Sequence, residues 1–278
     1  MKFTKMQGLG NDYIYVDGSK EHIEDPSKLA VRLSDRHFGV GADGLILINP
    51  SRKADFEMEM YNADGSRGEM CGNGIRCVGK YVYDNGLTDK KSLSIETLAG
   101  IKYLELTAED GSVTQVRVDM GKPVTEADLI PVTGDAVRDN KAIDSKLRVL
   151  DTDFRVTCIS MGNPHAVVPL DDVEHFDIEK YGPVFENHPS FPRRINTEFI
   201  RVIDRKNIEM RVWERGSGET LACGTGACAT LVACVILGLT EREADVKLLG
   251  GRLHILWDEK DDHVYMTGPA ETVFKGEI

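Results

Sequence analysis

Two cysteines, Cys71 and Cys223, have matching surroundings, because each is followed directly by Gly-x-Gly and then by apolar residues at helical spacing. This pattern predicts a thiol at the N-terminus of a helix. Unpaired backbone N–H groups and the positive end of the helix dipole stabilise a thiolate at such a position. We therefore expect both thiols to have a pKa below the free-cysteine value of about 8.5.

A pair of such thiols suits the inversion of a stereocentre by proton transfer. One group must remove a proton from one face of the carbon, and a second group must return a proton to the opposite face. A thiolate and a thiol can exchange these roles when the reaction reverses. The helix-terminal N–H groups would stabilise the negative charge that reaches the carboxylate of an amino-acid substrate. The pattern predicts a cofactor-independent amino-acid epimerase.

Other interpretations of the cysteines remain open. The spacings of six residues from Cys71 to Cys77 and of five from Cys223 to Cys228 fit no zinc finger or ribbon. Cys71 and Cys223 could instead form a regulatory disulfide. A phosphate-binding loop is weakly supported, since no lysine follows the glycines. The cysteines outside the pair are expected to be inert packing residues, namely Cys77, Cys158, Cys228 and Cys234.

The composition of the 278-residue chain is that of a globular protein, with 41% hydrophobic and 29% charged residues. A formal net charge of -12 disfavours binding to nucleic acid, and the chain has no basic run for anionic lipid. The N-terminus carries no apolar signal core, which predicts a cytoplasmic protein. None of the six cysteines lies in a Cys-x-x-Cys pair, as expected in a reducing compartment.

One long apolar stretch, residues 221–239, contains no charged residue. Its length reaches the threshold for a membrane span. However, it begins with the glycine-containing turn at Cys223, and it is flanked by Glu219 and Glu241 rather than by basic interfacial anchors. We interpret it as a helix that is buried in the protein core.

The chain is an internal duplication. A shift of 152 residues aligns residues 9–89 with residues 161–241 without a gap. The matched pairs include Gly10-Asn11 with Gly162-Asn163, residues 56–60 with 208–212, the two Cys-Gly-x-Gly segments, and Gly86 with Gly238. Because several matches share one offset, an internal repeat explains them better than chance, and the repeat determines the architecture.

Each half has the same predicted order of elements. An alternating strand ends in a polar turn, the cysteine opens a helix, and Gly86 or Gly238 ends that helix in the left-handed conformation. Further strands are predicted at residues 94–106 and 113–120 in the first half, and at 246–257 and 263–267 in the second.

The predicted fold class is α+β, with two pseudo-symmetric domains. Each domain is expected to be a mostly antiparallel sheet around a central helix, with the active site in the cleft between the domains. The predicted domains are residues 1–121 and 122–268, with a hinge near Gly121, and residues 269–278 are a candidate strand for returning to the first domain.

Several stretches of the sequence resemble diaminopimelate epimerase and are spread over nearly the whole chain. They are residues 8–13, 61–66, 70–77, 161–165 and 214–227. The resemblance implies that Cys71 and Cys223 are the catalytic acid–base pair and that neither pyridoxal phosphate nor a metal is used. It also implies interconversion of LL- and meso-diaminopimelate, for lysine biosynthesis and the peptidoglycan cross-link, by a homodimer.

The same resemblance assigns substrate-binding residues. The distal amino-acid end would be held by Asn11, Asn62, Asn163, Asn196 and Arg215. The reacting carboxylate would be held by the backbone amides of Gly72, Asn73, Gly224 and Thr225. Glu214 and the auxiliary residue His165 would lie near the reacting centre. Gly44 is excluded, although some family members carry an amide side chain there and its repeat equivalent is Asn196.

Two further functions are weighed against the epimerase. A proline or hydroxyproline racemase has similar thiols, but the Glu214-Arg215 pair and the turn at residues 61–65 favour the diaminopimelate enzyme. A binding or redox-sensing module would use the thiols only for oxidation, and substrate-dependent proton exchange would separate it from any epimerase.

Overall fold

The computed structural model describes all 278 residues of the chain and divides them into two units. Unit 1 comprises Met1–Asp119 and Thr267–Ile278, and unit 2 comprises Met120–Met266. Both boundaries fall within strands, Ser112–Gly121 and Val264–Gly268, and each strand is described with the unit that contains most of its residues. Each unit combines helices with a mixed sheet, so the predicted α+β class is confirmed.

Unit 1 contains the helices α1 (Pro26–Ser34) and α2 (Gly72–Asp84). Its strands are β1 (Lys2–Gly8), β2 (Asn11–Asp17), β3 (Gly44–Pro50), β4 (Phe56–Asn62), β5 (Arg67–Gly68), β6 (Ser92–Thr97), β7 (Gly100–Glu109), β8 (Ser112–Gly121) and β18 (Glu271–Glu277). Strand β1 pairs antiparallel with both β2 and β18. The pairs β2–β3 and β4–β6 are parallel, whereas β3–β4, β4–β5, β6–β7 and β7–β8 are antiparallel.

Unit 2 contains a 3-10 turn (Gly134–Ala136) and the helices α3 (Ile178–Glu186) and α4 (Gly224–Ile236). Its strands are β9 (Ser145–Val149), β10 (Thr152–Ser160), β11 (Pro164–Pro169), β12 (Asn196–Asp204), β13 (Asn207–Glu214), β14 (Gly218–Thr220), β15 (Glu243–Leu248), β16 (Gly251–Trp257) and β17 (Val264–Gly268). The pairs β11–β12 and β13–β15 are parallel, and β9–β10, β10–β11, β12–β13, β13–β14 and β15–β16 are antiparallel.

The strand registers of the two units match at the offset found in the sequence. Tyr13 lies opposite Gly44 in the parallel pair β2–β3, and His165 lies opposite Asn196 in the parallel pair β11–β12. Both residues of the second pair follow those of the first by 152 positions. Because side chains alternate between the two faces of a strand, equal registers bring equivalent residues to equivalent places.

The helices α2 and α4 are also equivalent, each 13 residues long and each packed against strands of its own unit. Gly86 and Gly238 have φ angles of 69° and 71°, as predicted for glycines that end a helix. At the end of α2, the N–H of Gly86 donates to Tyr83 and that of Leu87 donates to Val82, at 3.0 and 2.9 Å. This is the Schellman arrangement, which satisfies carbonyls that the helix leaves without partners.

Helix α4 is surrounded by protein, as its nearly uniform apolar composition predicts. It packs against β10, β11, β12, β15 and β16, and residues 226–234 are all buried. No helix in the chain has both the length and the apolar character that crossing a membrane requires.

The prediction of single strands at residues 94–106 and 246–257 is wrong. Each segment turns back on itself and forms an antiparallel hairpin, β6–β7 in unit 1 and β15–β16 in unit 2. The second strand of each hairpin begins at a glycine with positive φ, Gly100 at 98° and Gly251 at 142°. Turns as short as these interrupt the apolar alternation only briefly, so the sequence resembles one continuous strand.

Candidate active site

Cys71 and Cys223 are the N-cap residues of α2 and α4, as their sequence setting predicts. Their backbones are extended, with φ and ψ of -129° and 119° at Cys71 and of -123° and 109° at Cys223. The thiol of Cys71 accepts a hydrogen bond from the N–H of Gly74 at 3.3 Å. Gly72 and Gly224 begin the two helices, where backbone N–H groups point out of the helix end and can bind an anion.

The glycine at the third helical position has a packing function in both units. A Cβ atom at Gly74 would lie 2.9 Å from Cδ1 of Ile46, and one at Gly226 would lie 2.5 Å from Oε1 of Glu198. Ile46 and Glu198 are separated by the repeat offset of 152 residues. Glycine therefore leaves space for a strand side chain directly beneath the first turn of each helix.

The neighbours of Cys71 within unit 1 form a polar chain. Its thiol donates to Oδ1 of Asn11 at 3.1 Å, and the Asn11 amide nitrogen donates to Asp43 at 2.8 Å. The Asp43 carboxylate therefore orients the Asn11 amide so that its oxygen faces the sulfur. Burial raises the pKa of the adjacent Tyr13 well above its usual value, and the charges of Cys71 and Asp43 raise it further.

Cys223 has acidic neighbours within unit 2 and is only 5% exposed. Burial raises its pKa well above the usual value, and the carboxylates of Glu214 and Glu198 raise it further. The Thr225 hydroxyl lies 3.6 Å from the sulfur and lowers the pKa, but by less than burial and the two carboxylates raise it. The expectation of a lowered pKa is wrong for Cys223, because desolvation and two nearby carboxylates outweigh the helix N-terminus.

Glu214 lies at the end of β13, and its carboxylate accepts a hydrogen bond from the Thr220 hydroxyl. Burial raises the pKa of Glu214, while bonding to Thr220 and to Cys223 lowers it. The structure therefore brings Glu214 and Cys223 together, as the sequence resemblance implies for residues near the reacting centre.

His165 is fully buried between two oxygen atoms. Its Nδ1 lies 2.7 Å from Oε1 of Glu198, and its Nε2 lies 3.0 Å from Oδ1 of Asn163. A carboxylate at Nδ1 places a proton on that nitrogen and fixes the orientation of the ring. His165 and Glu198 are both 0% exposed.

The remaining candidate residues make local hydrogen bonds. The Asn196 amide donates to the Pro164 carbonyl and accepts from the N–H of Arg215, both at 2.9 Å, so it joins two segments of unit 2. The Arg215 guanidinium is exposed and donates to the Arg193 carbonyl at 3.0 Å. Asn62 donates to Ser66 at 2.9 Å within the turn that follows β4. Asn196 and Asn62 thus hold backbone turns in this structure.

The exclusion of Gly44 from the candidate residues has a steric explanation. A Cβ atom there would lie 2.1 Å from the Tyr61 carbonyl oxygen and 2.8 Å from the ring of Tyr13. The Asn196 side chain at the equivalent place in unit 2 has no counterpart in unit 1.

Comparison with known proteins gives the family. The model of the diaminopimelate epimerase family matches residues 3–126 and 157–273. A curated diaminopimelate epimerase from Methanococcus maripaludis (strain C5) is 59% identical over 278 residues, covering 100% of this chain and 99% of the relative. Another from Acetivibrio thermocellus is also 59% identical, covering 100% of this chain and 98% of the relative. The chain belongs to the diaminopimelate epimerase family.

The predicted enzyme class, an isomerase of the epimerase type, is confirmed by this membership. A solved PhzF-family phenazine biosynthesis protein from Bacillus anthracis superimposes with a TM-score of 0.72 at 18% identity, covering 100% of this chain and 98% of that chain. A hydroxyproline epimerase from Agrobacterium vitis gives 0.66 at 14% identity, covering 100% and 90%. At such identities these likenesses show the fold alone, and they do not favour the racemase over the diaminopimelate epimerase family.

Two residues of this family member's candidate site were missed by the sequence analysis, Glu198 and Asp43. Glu198 could have been found from the repeat, because a carboxylate stands in an apolar strand where the first half has Ile46. Asp43 had no comparable signal, since an acidic residue before an apolar strand is usually exposed to solvent.

His165, Glu198 and Cys223 place donor atoms within 4.8 Å of one another. Side chains of these types can bind zinc. Here, however, His165 Nδ1 and Glu198 Oε1 are already joined by a 2.7 Å hydrogen bond, which leaves no room for an ion between them. We therefore interpret the cluster as a hydrogen-bonded group rather than as a metal site.

Proposed function

We propose that this epimerase interconverts LL- and meso-diaminopimelate without a cofactor, using Cys71 and Cys223 as the catalytic acid–base pair. The observation that carries the proposal is the equivalence of the two N-caps: each unit supplies one thiol at the start of an equivalent helix. The sequence relatives, which are named as diaminopimelate epimerases, indicate the substrate.

The proposed reaction moves one proton onto the substrate and one off it. The thiolate of one cysteine takes the α-proton, and the electrons of the broken C–H bond move onto the substrate carboxylate. The N–H groups of Gly72, Asn73, Gly224 and Thr225 stabilise that charge. The thiol of the other cysteine then donates its proton to the opposite face, and the electrons return to form the new C–H bond. The enzyme ends with the protonation of its thiols reversed.

The distal amino-acid end of the substrate is proposed to bind Asn11, Asn62, Asn163, Asn196 and Arg215. The Arg215 guanidinium suits this function because it is exposed and because its planar donors match a carboxylate. Asn62 and Asn196 would act mainly through the turns that they hold, since their amides are engaged there.

Incubation with LL-diaminopimelate in D2O tests the proposal directly. We expect deuterium at the α-carbon and formation of the meso isomer, both visible by NMR. Lysine, which lacks the distal carboxylate, should be a very poor substrate, because a site built for a polar group rejects an analogue without it. Faster turnover of proline than of diaminopimelate would replace this proposal with a proline racemase. Thiol oxidation without any proton exchange would indicate a redox module instead.

The absence of a cofactor is part of the proposal and has its own test. Activity should survive dialysis against a chelator and against a carbonyl scavenger. Loss of activity that zinc or pyridoxal phosphate restores would contradict the two-thiol mechanism.

We also propose that the enzyme is a homodimer in the cytoplasm and that neither half, residues 1–121 with 269–278 or residues 122–268, is active alone. The family resemblance supports the dimer, and a mechanism that needs reduced thiols supports a reducing compartment. Light scattering after size-exclusion chromatography should give twice the chain mass of 30.8 kDa. A mass equal to one chain would contradict the dimer.

A further inference from the structure

Glu198 is a buried carboxylate that the fold itself does not require. It lies in β12 with no exposed surface, and its Oε1 bonds to His165 while its Oε2 has no hydrogen-bond partner. Burying a carboxylate costs several kcal/mol unless its bonds are complete. The equivalent place in unit 1 is filled by Ile46, which is also 0% exposed. An apolar residue can therefore pack beneath a helix of this kind.

The carboxylate lies beneath the first turn of α4. A Cβ atom added at Gly226 would contact Glu198 Oε1 at 2.5 Å and Cys223 Sγ at 3.2 Å, so both atoms border the same small space. The charge of Glu198 also raises the pKa of Cys223. Burial limits solvent screening, so a charge so near should act strongly on the thiol.

The titratable groups that face Cys223 come from three strands. Glu214 reaches it from β13, Glu198 from β12 and His165 from β11. Glu198 also acts on Cys158 of β10, because burial and the charge of Glu198 raise the pKa of that thiol to about 12. In unit 1, the equivalents of His165, Glu198 and Glu214 are Tyr13, Ile46 and Asn62, none of which is a carboxylate.

We infer that Glu198 is a positioning residue that keeps the proton on Cys223 in the resting enzyme through its charge. Because the proposed reaction needs one thiolate, Cys71 must then be the base, and it must release the proton that it donates to Asn11 in this structure. This inference rests on the proposed function, since it concerns the order in which the two catalytic thiols lose their protons.

The cycle balances in protons and electrons. In the resting form the Cys71 thiolate removes the α-proton, and Cys223 donates its own proton to the opposite face. The enzyme is left with Cys71 protonated and Cys223 ionised beside two carboxylates. Exchange with water returns a proton to Cys223 and removes one from Cys71, and Glu198 favours this return because it disfavours the second thiolate.

The decisive variant is Glu198→Gln, which keeps the size of the side chain and an oxygen for His165 Nδ1 but removes the charge. Alkylation of Cys71 and Cys223 by iodoacetamide would be followed against pH by peptide-resolved mass spectrometry. The midpoint of each cysteine is the pH at which its alkylation rate is half-maximal. In the unmodified enzyme, the midpoint for Cys223 should lie at higher pH than that for Cys71. In Glu198→Gln, the Cys223 midpoint should fall by about one pH unit, which is about a tenfold change in thiolate at a fixed pH, while the Cys71 midpoint stays in place.

The matched control is Glu209→Gln, which removes a carboxylate of β13 that pairs with Arg201 and Lys247 away from the thiol. It should leave both midpoints unchanged. The alkaline limb of kcat/KM should move to lower pH in Glu198→Gln and stay in place in Glu209→Gln, whereas a purely structural role would lower kcat/KM without moving the limb.

A Cys223 midpoint at or below that of Cys71 in the unmodified enzyme would overturn the inference, as would an unmoved Cys223 midpoint in Glu198→Gln. If Glu198→Gln fails to fold, a Cys223 midpoint at or below that of Cys71 in the unmodified enzyme would still overturn the inference. The alkylation midpoints need no turnover, unlike the kcat/KM profile, so they are independent of the substrate assay that tests the proposed function.

Discussion

The two cysteine sites share one backbone and differ in the residues beneath it. Both cysteines are the N-cap residues of helices of the same length, and both helices stand over strands in the same register. Cys71 has the amide oxygen of Asn11 beside it, whereas Cys223 has the carboxylates of Glu214 and Glu198. The duplicated backbone therefore supplies the position of each thiol, and a few side chains on the neighbouring strands decide how readily that thiol loses its proton.

The largest expected effect comes from removing either thiol. Cys71→Ala and Cys223→Ala should each lower epimerisation by about 1,000-fold or more, since each removes the acid or base from one face. In D2O, each variant should still exchange the α-proton of one stereoisomer slowly, and the two variants should prefer opposite stereoisomers. NMR of both isomers in D2O measures this. A variant that epimerised at close to the wild-type rate would identify its cysteine as a packing residue.

The next largest effect is a loss of stability, expected from substitutions at two equivalent strand positions, His165 and Tyr13. His165→Leu should lower the free energy of unfolding by about 3–5 kcal/mol, because it leaves the buried Glu198 carboxylate without its partner. Tyr13→Phe, which removes one hydroxyl from a site without a buried carboxylate, should cost about 1 kcal/mol. Urea unfolding of the two variants gives the difference.

His165→Asn provides the matched control for the previous comparison, because its side-chain nitrogen can replace Nδ1 as the donor to Glu198. It should recover part of the stability that His165→Leu loses. Equal destabilisation by the leucine and asparagine variants would mean that the ring's volume matters and its hydrogen bond does not.

Alkaline pH should destabilise both units through their buried thiols. Burial raises the pKa of Cys234 in unit 2 to about 12 and that of Cys77 in unit 1 to about 11. For each thiol the pKa in the folded protein lies above the pKa in the unfolded chain. The contribution of the neutral buried thiol to the free energy of unfolding is therefore fully present below about pH 9, and it is lost as the pH rises toward the folded pKa. Titration of each thiol should lower the free energy of unfolding by about 2 kcal/mol between pH 7.5 and pH 10.5.

Urea unfolding of Cys234→Ala and Cys77→Ala at the two pH values tests this prediction. Each variant costs some stability at pH 7.5 through lost packing, but each should lose less between pH 7.5 and 10.5 than the unmodified chain. An unchanged pH dependence in either variant would show that its thiol does not titrate in that range.

The smallest expected effect concerns the glycines beneath the two helices. Gly226→Ala should be less stable than Gly74→Ala by about 1 kcal/mol, because its new methyl group meets the Glu198 carboxylate, whereas that of Gly74→Ala meets the flexible end of Ile46. The gain in helix propensity is the same for both and cancels in the comparison. Thermal unfolding of the pair measures the difference, and a more stable Gly226→Ala would show that Glu198 can move aside.

The sequence by itself determined the duplication, the α+β class, both helices with their cysteine N-caps and glycine ends, and the family. These features depend on local chemistry that repeats at one offset: thiol and glycine before an apolar helical run, and glycine after it. The hairpins at residues 97–100 and 248–251 escaped the sequence analysis, because each turn interrupts the alternation for too short a distance.

Only the tertiary structure decided the electrostatics of the thiols. A helix N-terminus predicts a lowered thiol pKa wherever the thiol meets water, but the Cys223 thiol is buried, and strands distant in sequence bring Glu198 and Glu214 against it. The tertiary structure also showed that Asp43 orients Asn11 and that the Asn196 amide accepts a hydrogen bond from the backbone of Arg215. Such effects depend on which side chains strand pairing places within a few ångströms, and desolvation and charge act over those distances rather than along the chain.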